Sequence, residues 1–242
     1  MSTAATHAIP EIAVVIPVFN EVDNVAQLAG EIVAALQGKS FEILFVDDGS
    51  NDGTAAAICE LRSRIPQVRL LRHSFRSGQS AAMCSGVRHA RAEWIATLDG
   101  DGQNDPADIP KLYESRFVAE LVMGNRIQRR DTWLRHAQSR VANGVRGWLL
   151  GDGTPDTGCG IKVMHRGQFL ELPHFDHMHR FLPALYLRAG ARVVSVPVAH
   201  RPRVHGTSKY GLFDRLWVGI IDIFGVMWLR SRFRSGLQIR ED

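Results

Sequence analysis

Two groups of carboxylates stand where they could do chemistry. Asp47-Asp48-Gly49-Ser50 follows the apolar run that starts at Glu42 and ends at Val46. Asp99-Gly100-Asp101-Gly102-Gln103 follows Trp94 to Leu98. Asp101 and Gln103, two residues apart, offer hard oxygen ligands of the kind that suits Mg²⁺ or Mn²⁺ shared with a diphosphate. Taken singly, each group reads as an ordinary acidic turn, because Asp-Gly is turn chemistry. Two such groups on successive αβ units point instead to a nucleotide-diphosphate site, since open α/β sheets set their ligand crevice beyond the carboxyl ends of strands.

The stretch Arg126 to Arg140 is basic and could position an anionic nucleophile; any one arginine there reads equally well as part of a solvated face. The cluster His174-Phe175-Asp176-His177-Met178-His179-Arg180 invites a zinc reading. Its spacing does not set three imidazoles on one helical face, and no cysteine supports it. His179-Arg180-Phe181 is therefore expected to face an acceptor or to pack beneath the site. His73, His89 and His136 receive the ordinary surface or core reading.

The elements that must position these groups alternate. Ile12 to Pro17 reads as a buried strand, and Asn20-Glu21 with Asp23-Asn24 supply helix-start chemistry for a helix through about Leu36. Phe41 to Val46 is a second strand, followed by a helix ending near Arg64. Val68 to Leu71 is a third strand, Gly78 to Ala90 a helix with small residues on one face, and Trp94 to Leu98 a fourth strand. This alternation predicts an α/β fold with a mostly parallel sheet. Beyond Pro110 the pattern changes to strands at Leu121 to Gly124, Gly158 to His165 and Ala191 to Val198, with a His-rich helix between the last two. The sheet is then mixed.

The last segment differs again. Leu216 to Leu229 is apolar apart from Asp222 and two glycines, and Arg230, Arg232 and Arg234 follow. At helical spacing Leu216, Trp217, Ile220, Ile221, Ile223, Phe224, Met227 and Trp228 share one broad arc. The run is too short to cross a bilayer but suits an interfacial amphipathic helix; the alternative is a terminal helix buried on the domain. The expected organisation is a flexible N-terminus over 1–10, one domain over 11–211, and a membrane-surface helix with a basic tail over 212–242.

Composition sets wide bounds. The 242 residues are 45% hydrophobic, enough for a substantial core, and the net charge of +4 fits phosphate ligands or an anionic surface without indicating nucleic acid. The three cysteines, Cys59, Cys84 and Cys159, suggest neither a disulfide framework nor a metal site, so a reducing compartment is the default. Met1 to Pro10 carries no signal-peptide pattern. No Gly-x-Gly-x-x-Gly opens a helix after the first strand, which argues against a dinucleotide fold, and a receiver domain would be finished by about residue 120.

In order along the chain, Val15-Ile16-Pro17-Val18-Phe19-Asn20-Glu21, Val46-Asp47-Asp48-Gly49-Ser50, Asp99-Gly100-Asp101-Gly102-Gln103, Gly124-Asn125-Arg126, Asp156-Thr157-Gly158 and Arg203 to Tyr210 resemble the inverting glycosyltransferases of family 2. More narrowly they resemble the branch of dolichol-phosphate mannose synthases and bacterial polyprenyl-phosphate glycosyltransferases, from about Ile12 to Tyr210. Phe19 stands where that branch usually has Tyr, and Gln79 where a Lys is common.

The resemblance implies a single GT-A type, Rossmann-like domain that transfers a hexose-type sugar from a UDP- or GDP-sugar to a polyprenyl phosphate, with Mg²⁺ or Mn²⁺. It implies attachment to the cytoplasmic face of a membrane, and it leaves open a membrane-protein partner or a homo-oligomer. Carried over by position, Pro17, Phe19, Glu21, Asp48, Asp99 and Gly100 would hold the nucleotide. Asp101 and Gln103 would ligate the metal, Arg203 would grip the donor diphosphate, Lys209 would join the nucleotide-sugar site, and Arg126, Arg135 and Ser139 would hold the acceptor phosphate. A polyprenyl phosphate needs no general base, because it is already a dianion at neutral pH. Rival expectations are a family 2 transferase acting on a saccharide or glycolipid, and a non-catalytic membrane-surface adaptor.

Overall fold

The computed structural model describes residues 9–126, 149–202 and 212–232, together with 144, 146 and 147. The expected N-terminal segment lies outside them as far as residue 8. Strand β1 (Ile12–Val18) and strand β2 (Phe41–Asp47) are buried nearly throughout, the mark of strands covered on both faces. Their side chains alternate between two cores. Ala13, Val15, Leu44 and Val46 enter one, and Ile12, Val14, Ile16, Ile43 and Phe45 enter the other, as the two-residue period of a strand requires.

Helix α1 (Val25–Ala35) links β1 to β2, and α2 (Thr54–Arg64) links β2 to β3 (Val68–Arg72). Helix α3 (Gln79–His89) then leads to β4 (Trp94–Thr97). Beyond them come α4 (Ile109–Glu114), β5 (Leu121–Arg126), β6 (Lys162–His165), α5 (Arg166–Glu171), α6 (Leu182–Arg188), β7 (Val193–Val198) and α7 (Leu212–Ser231). The strands form one sheet in the order β3-β2-β1-β4-β6-β5-β7. Only the pairings of β6 with β4 and β5 are antiparallel. The expected mixed, mostly parallel sheet is present. Its order turns back between β1 and β4, which makes their carboxyl ends the natural crevice. The small-residue face of α3 lies on this sheet: a Cβ on Gly86 would stand 2.3 Å from Val15 Cγ1.

Two local expectations give way. Strand β6 starts at Lys162 rather than at Gly158, because Asp156 to Ile161 turns beneath the β4 end. The His-rich segment is not a helix. Leu172 is extended ahead of Pro173, as the residue before a proline prefers, and His177 takes a left-handed φ of 62°. Only a short 3-10 turn, Met178–Arg180, precedes α6, which carries Pro183 in its first turn.

Helix α7 is longer than its apolar run suggests, but among the described residues no helix is long and apolar enough to cross a membrane. Its expected single arc divides. Val226 is buried and Ile223 and Met227 pack on the core, while Ile221, Phe224 and Trp228 are 67%, 65% and 59% exposed. Positions 221, 224 and 228 share one stripe at helical spacing, and 222, 223, 226 and 227 turn to the domain. The guanidinium of Arg230 donates to the Leu150 carbonyl, and Arg188 Nε donates to Leu229 O at 3.0 Å.

Candidate active site

The loops after β1 and β2 are laced together. Asn20, at a left-handed φ of 55°, donates its N–H to Ser50 Oγ at 2.9 Å, and its side-chain oxygen accepts from Asn51 N at 2.9 Å. Glu21 N donates to Thr54 Oγ1 at 2.9 Å, and the Glu21 carboxylate accepts from Asn24 Nδ2 at 2.6 Å. Phe19 is half-buried, with the Arg76 guanidinium 4.3 Å from its ring centroid, a cation–π stack.

Asp48 is buried and engaged. Its Oδ1 accepts from Ser77 N at 2.8 Å and lies 2.8 Å from His73 Nδ1, and its Oδ2 accepts from Gly78 N at 2.8 Å. His73 reaches Ser85 Oγ with its other nitrogen at 2.9 Å. This carboxylate therefore fixes the turn from β3 into α3. His73, read from sequence as an ordinary histidine, is part of that brace. The available signal was its place immediately after a strand.

Across β1, the β4 end brings in the second carboxylate group. A Cβ on Gly100 would stand 3.1 Å from the Pro17 carbonyl and 3.6 Å from Glu21 Cγ, so the two loops meet. Asp99 Oδ1 accepts from Gln79 Nε2 at 2.8 Å, and Asp99 N donates to Asn104 Oδ1 at 3.1 Å. Burial pushes the Asp99 carboxyl above its usual range and neighbouring Asp101 adds to the shift, against Lys162, Arg126 and the Gln79 hydrogen bond. Asp101 Oδ1 accepts from Gln103 N at 3.1 Å.

The floor is a buried charge network. Arg126 clamps Asp156 with two prongs, Nε to Oδ2 at 2.6 Å and Nη2 to Oδ1 at 2.7 Å. Lys162 is 4% exposed, donates to the Cys159 carbonyl, and lies in the field of Asp99 and Asp156. Burial lowers its pKa. Sequence reasoning missed Lys162; the signal was one cation inside the otherwise apolar run Ile161 to Met164. A Cβ on Gly160 would stand 2.2 Å from Asp99 Oδ2, so only glycine admits the carboxylate there.

The chain after β7 returns to this loop. Asn104 bridges to His200, Arg201 N donates to Gln103 O at 3.0 Å, and Arg201 pairs with Glu31 at 2.6 Å and Asp105 at 2.7 Å. Arg203 follows two residues on, but with Lys209, Arg135 and Ser139 it lies outside the described residues. Of the expected site residues, Pro17, Phe19, Glu21, Asp48, Asp99, Gly100, Asp101, Gln103 and Arg126 are described, and all lie at the carboxyl ends of β1, β2, β4 and β5.

The donor set tests the metal expectation. Among the described residues no three His, Cys, Asp or Glu side chains converge to cage an ion. The site offers instead the hard oxygens of Asp101 and Gln103, with Asp99 and Asp101 repelling one another. Such a set fits Mg²⁺ or Mn²⁺, which take one or two carboxylates and fill their shell with phosphate and water.

Fold and site together define a single α/β domain of the GT-A type. Solved structures share the fold. Mannosyl-3-phosphoglycerate synthase from Rubrobacter xylanophilus has a TM-score of 0.73 at 16% identity, over 94% of this chain and 77% of its own. Glucosyl-3-phosphoglycerate synthase from Mycobacterium tuberculosis, solved with Mn²⁺, UDP and glucosyl-3-phosphoglycerate, has a TM-score of 0.67 at 17% identity, over 95% and 83%. Residues 13–170 match the profile of Glycosyl transferase family 2, and the chain belongs to that family.

Two curated relatives are more similar in sequence. The undecaprenyl-phosphate 4-deoxy-4-formamido-L-arabinose transferase of Edwardsiella ictaluri is 36% identical over 208 residues, 83% of this chain and 63% of its own. The dodecaprenyl-phosphate galacturonate synthase of Rhizobium johnstonii is 35% identical over 235 residues, 93% and 69%. The chain thus spans about two thirds of the length of these relatives.

Proposed function

We propose that this chain transfers a sugar from a nucleoside-diphosphate sugar to a polyprenyl phosphate at the cytoplasmic membrane face, inverting the anomeric centre and requiring Mg²⁺ or Mn²⁺. One observation carries the reading. The laced, carboxylate-bearing ends of β1, β2 and β4 converge at the switch point in a chain 35–36% identical to enzymes named for transfer involving prenyl phosphates.

In the reaction, a phosphate oxygen of the acceptor forms the bond to the sugar's anomeric carbon as the bond to the nucleoside diphosphate breaks. The dianionic acceptor brings its own nucleophile, so what the protein must supply is positioning and charge. Phe19, Glu21 and the loops that Asp48 braces hold the nucleoside side. Asp101 and Gln103 would hold the metal, which when bound neutralises the leaving diphosphate, and Arg203 and Lys209 serve the same diphosphate. Arg126, Arg135 and Ser139 serve the acceptor phosphate. The pair with Asp156 uses two of the five N–H donors of Arg126 and sets its plane. The stripe of Ile221, Phe224 and Trp228 seats α7 in the interface, where the acceptor's phosphate lies.

The test is a panel of UDP- and GDP-sugars with Mn²⁺, screened by thermal shift and then by transfer of labelled sugar to undecaprenyl phosphate. One donor should stabilise the protein and label the lipid. Label reaching only a saccharide acceptor, or no acceptor from any donor, overturns the reading.

A further inference from the structure

Asp222 is the only charged side chain between Leu216 and Leu229. A carboxylate in such a run must find a partner or lose its hydration uncompensated, and this one turns to the domain. Its Oδ2 lies 3.3 Å from His177 Nδ1, a close polar contact that falls short of hydrogen-bond alignment. The other His177 nitrogen is 3.6 Å from Asp176 Oδ2. His177 holds the strained left-handed conformation that starts the 176–181 turn. Burial pushes the Asp222 carboxyl up, while His177 and Arg180 pull it down and Asp176 raises it.

From His177 the contacts run without a break to the crevice. Met178 is fully buried, with its sulfur 3.7 Å from Cys84 Sγ. His179 Nδ1 lies 2.7 Å from Ser80 Oγ, and His179 N donates to the same hydroxyl at 3.3 Å. The neighbour of Ser80, Gln79, holds Asp99. On the other flank Arg146 Nη1 donates to Arg180 O at 3.3 Å, and Arg230 of α7 ties down Leu150.

We propose that Asp222 and His177 are positioning residues that join α7 to the catalytic crevice, so that the helix meeting the lipid surface also sets the 176–181 turn against the start of α3. The helix then has two separable faces. The outer stripe of Ile221, Phe224 and Trp228 engages the surface, and the inner Asp222 transmits the helix position to the turn. The identity of that surface, a lipid interface, rests on the function proposed above; the contact with the turn does not.

Hydrogen exchange on the full chain separates the two faces. The amides of Arg180 and Phe181 are bonded within the turn, to His177 O at 3.0 Å and Met178 O at 2.8 Å. Asp222→Asn and His177→Gln should each speed their exchange about tenfold, and the double variant no further, as two ends of one contact require. Both should still sediment with anionic vesicles but lose kcat in the transfer assay, and Asp222→Glu should restore it. Phe224→Ser with Trp228→Ser should do the reverse, losing sedimentation with the turn amides unchanged. Unchanged exchange at Arg180 and Phe181 in both single variants overturns the proposal, as does an equal rise in α1, which would mean global destabilisation. If no donor supports transfer by the wild-type chain, the proposed function fails, and the exchange result still decides the role of Asp222.

Discussion

Gly160→Ala is the sharpest perturbation of this site. The added methyl would stand 2.2 Å from Asp99 Oδ2, 2.4 Å from Asp99 Cγ and 2.5 Å from Asn104 Oδ1. Relief needs a shift of about 1 Å, which breaks the bond from Gln79 to Asp99 and the bond from Asp99 N to Asn104. Overpacking costs about 1–3 kcal/mol, and each lost hydrogen bond about 1 kcal/mol more. A misplacement of this size next to the reacting groups lowers kcat/KM on the order of 100-fold. Urea denaturation, donor titration calorimetry and transfer kinetics on one preparation separate the effects. Gly86→Ala makes an equal clash, 2.3 Å from Val15 Cγ1, in the core under α3. It should lose stability while its folded fraction binds donor normally. Gly158→Ala, whose nearest contact is Arg126 Nη2 at 3.4 Å, should be mild. A Gly160→Ala enzyme with wild-type donor affinity and kcat/KM would refute the placement of Asp99 in the site.

Further outcomes follow from the same geometry. Asp101→Ala should remove several kcal/mol of barrier lowering and abolish the difference between Mn²⁺- and EDTA-treated enzyme; a variant fully active in EDTA refutes the metal role. Asp156→Ala leaves Arg126 charged and unpaired in a site where its side chain is 11% exposed, a loss of about 3–5 kcal/mol, read by urea denaturation. Arg135→Ala should raise KM for lipid phosphate with donor affinity intact, and a parallel loss of donor affinity by calorimetry would move Arg135 to the diphosphate. Burial, with Lys162, Arg180 and His177 nearby, lowers His179 from 6.5 to about 3. Below pH 6.5 the unfolded chain therefore takes up a proton that the folded chain refuses. Stability from this group is full above 6.5 and is lost toward pH 3, at no more than about 1.4 kcal/mol per pH unit. His179→Gln should flatten urea stability between pH 6 and pH 4 by one proton's slope.

The first half of the sheet was legible because β1, β2 and β4 are largely apolar on both faces and end in turn chemistry, while the edge strand β3 keeps a short apolar run between Arg69 and Arg72; β1 to β4 and the Asp99 to Gln103 loop could therefore be placed from residue type alone. Lys162 was hidden because one lysine in a strand looks like an edge residue until Asp99 and Asp156 are seen beside it. The expectation for Asp48 was a nucleotide-binding role; its bracing of the turn at Ser77 and Gly78 was not legible, because only the fold brings residues 29 and 30 positions away to its oxygens. The His-rich segment has helical composition, yet Pro173 and the left-handed His177 break it. In α7 the apolar arc was visible, but which side faces protein was set by Leu150, Arg188 and His177, far off in sequence.

The antiparallel strand β6 has a consequence for synthesis. Strands β1 to β4 are complete by Thr97, and they form a contiguous four-stranded block with α3 able to cover one face. The partner of β4 on its other side arrives 162 − 97 = 65 residues later. At about 5–20 residues per second the ribosome leaves that edge open for roughly 3–13 s, and an open edge is a template for pairing with another chain. The buried Lys162 belongs to the strand that closes it, and once closed the edge no longer offers itself to a neighbouring nascent chain. Overexpression yield should therefore respond to translation speed between codons 98 and 165 more than to any other stretch, with slow codons there favouring aggregation.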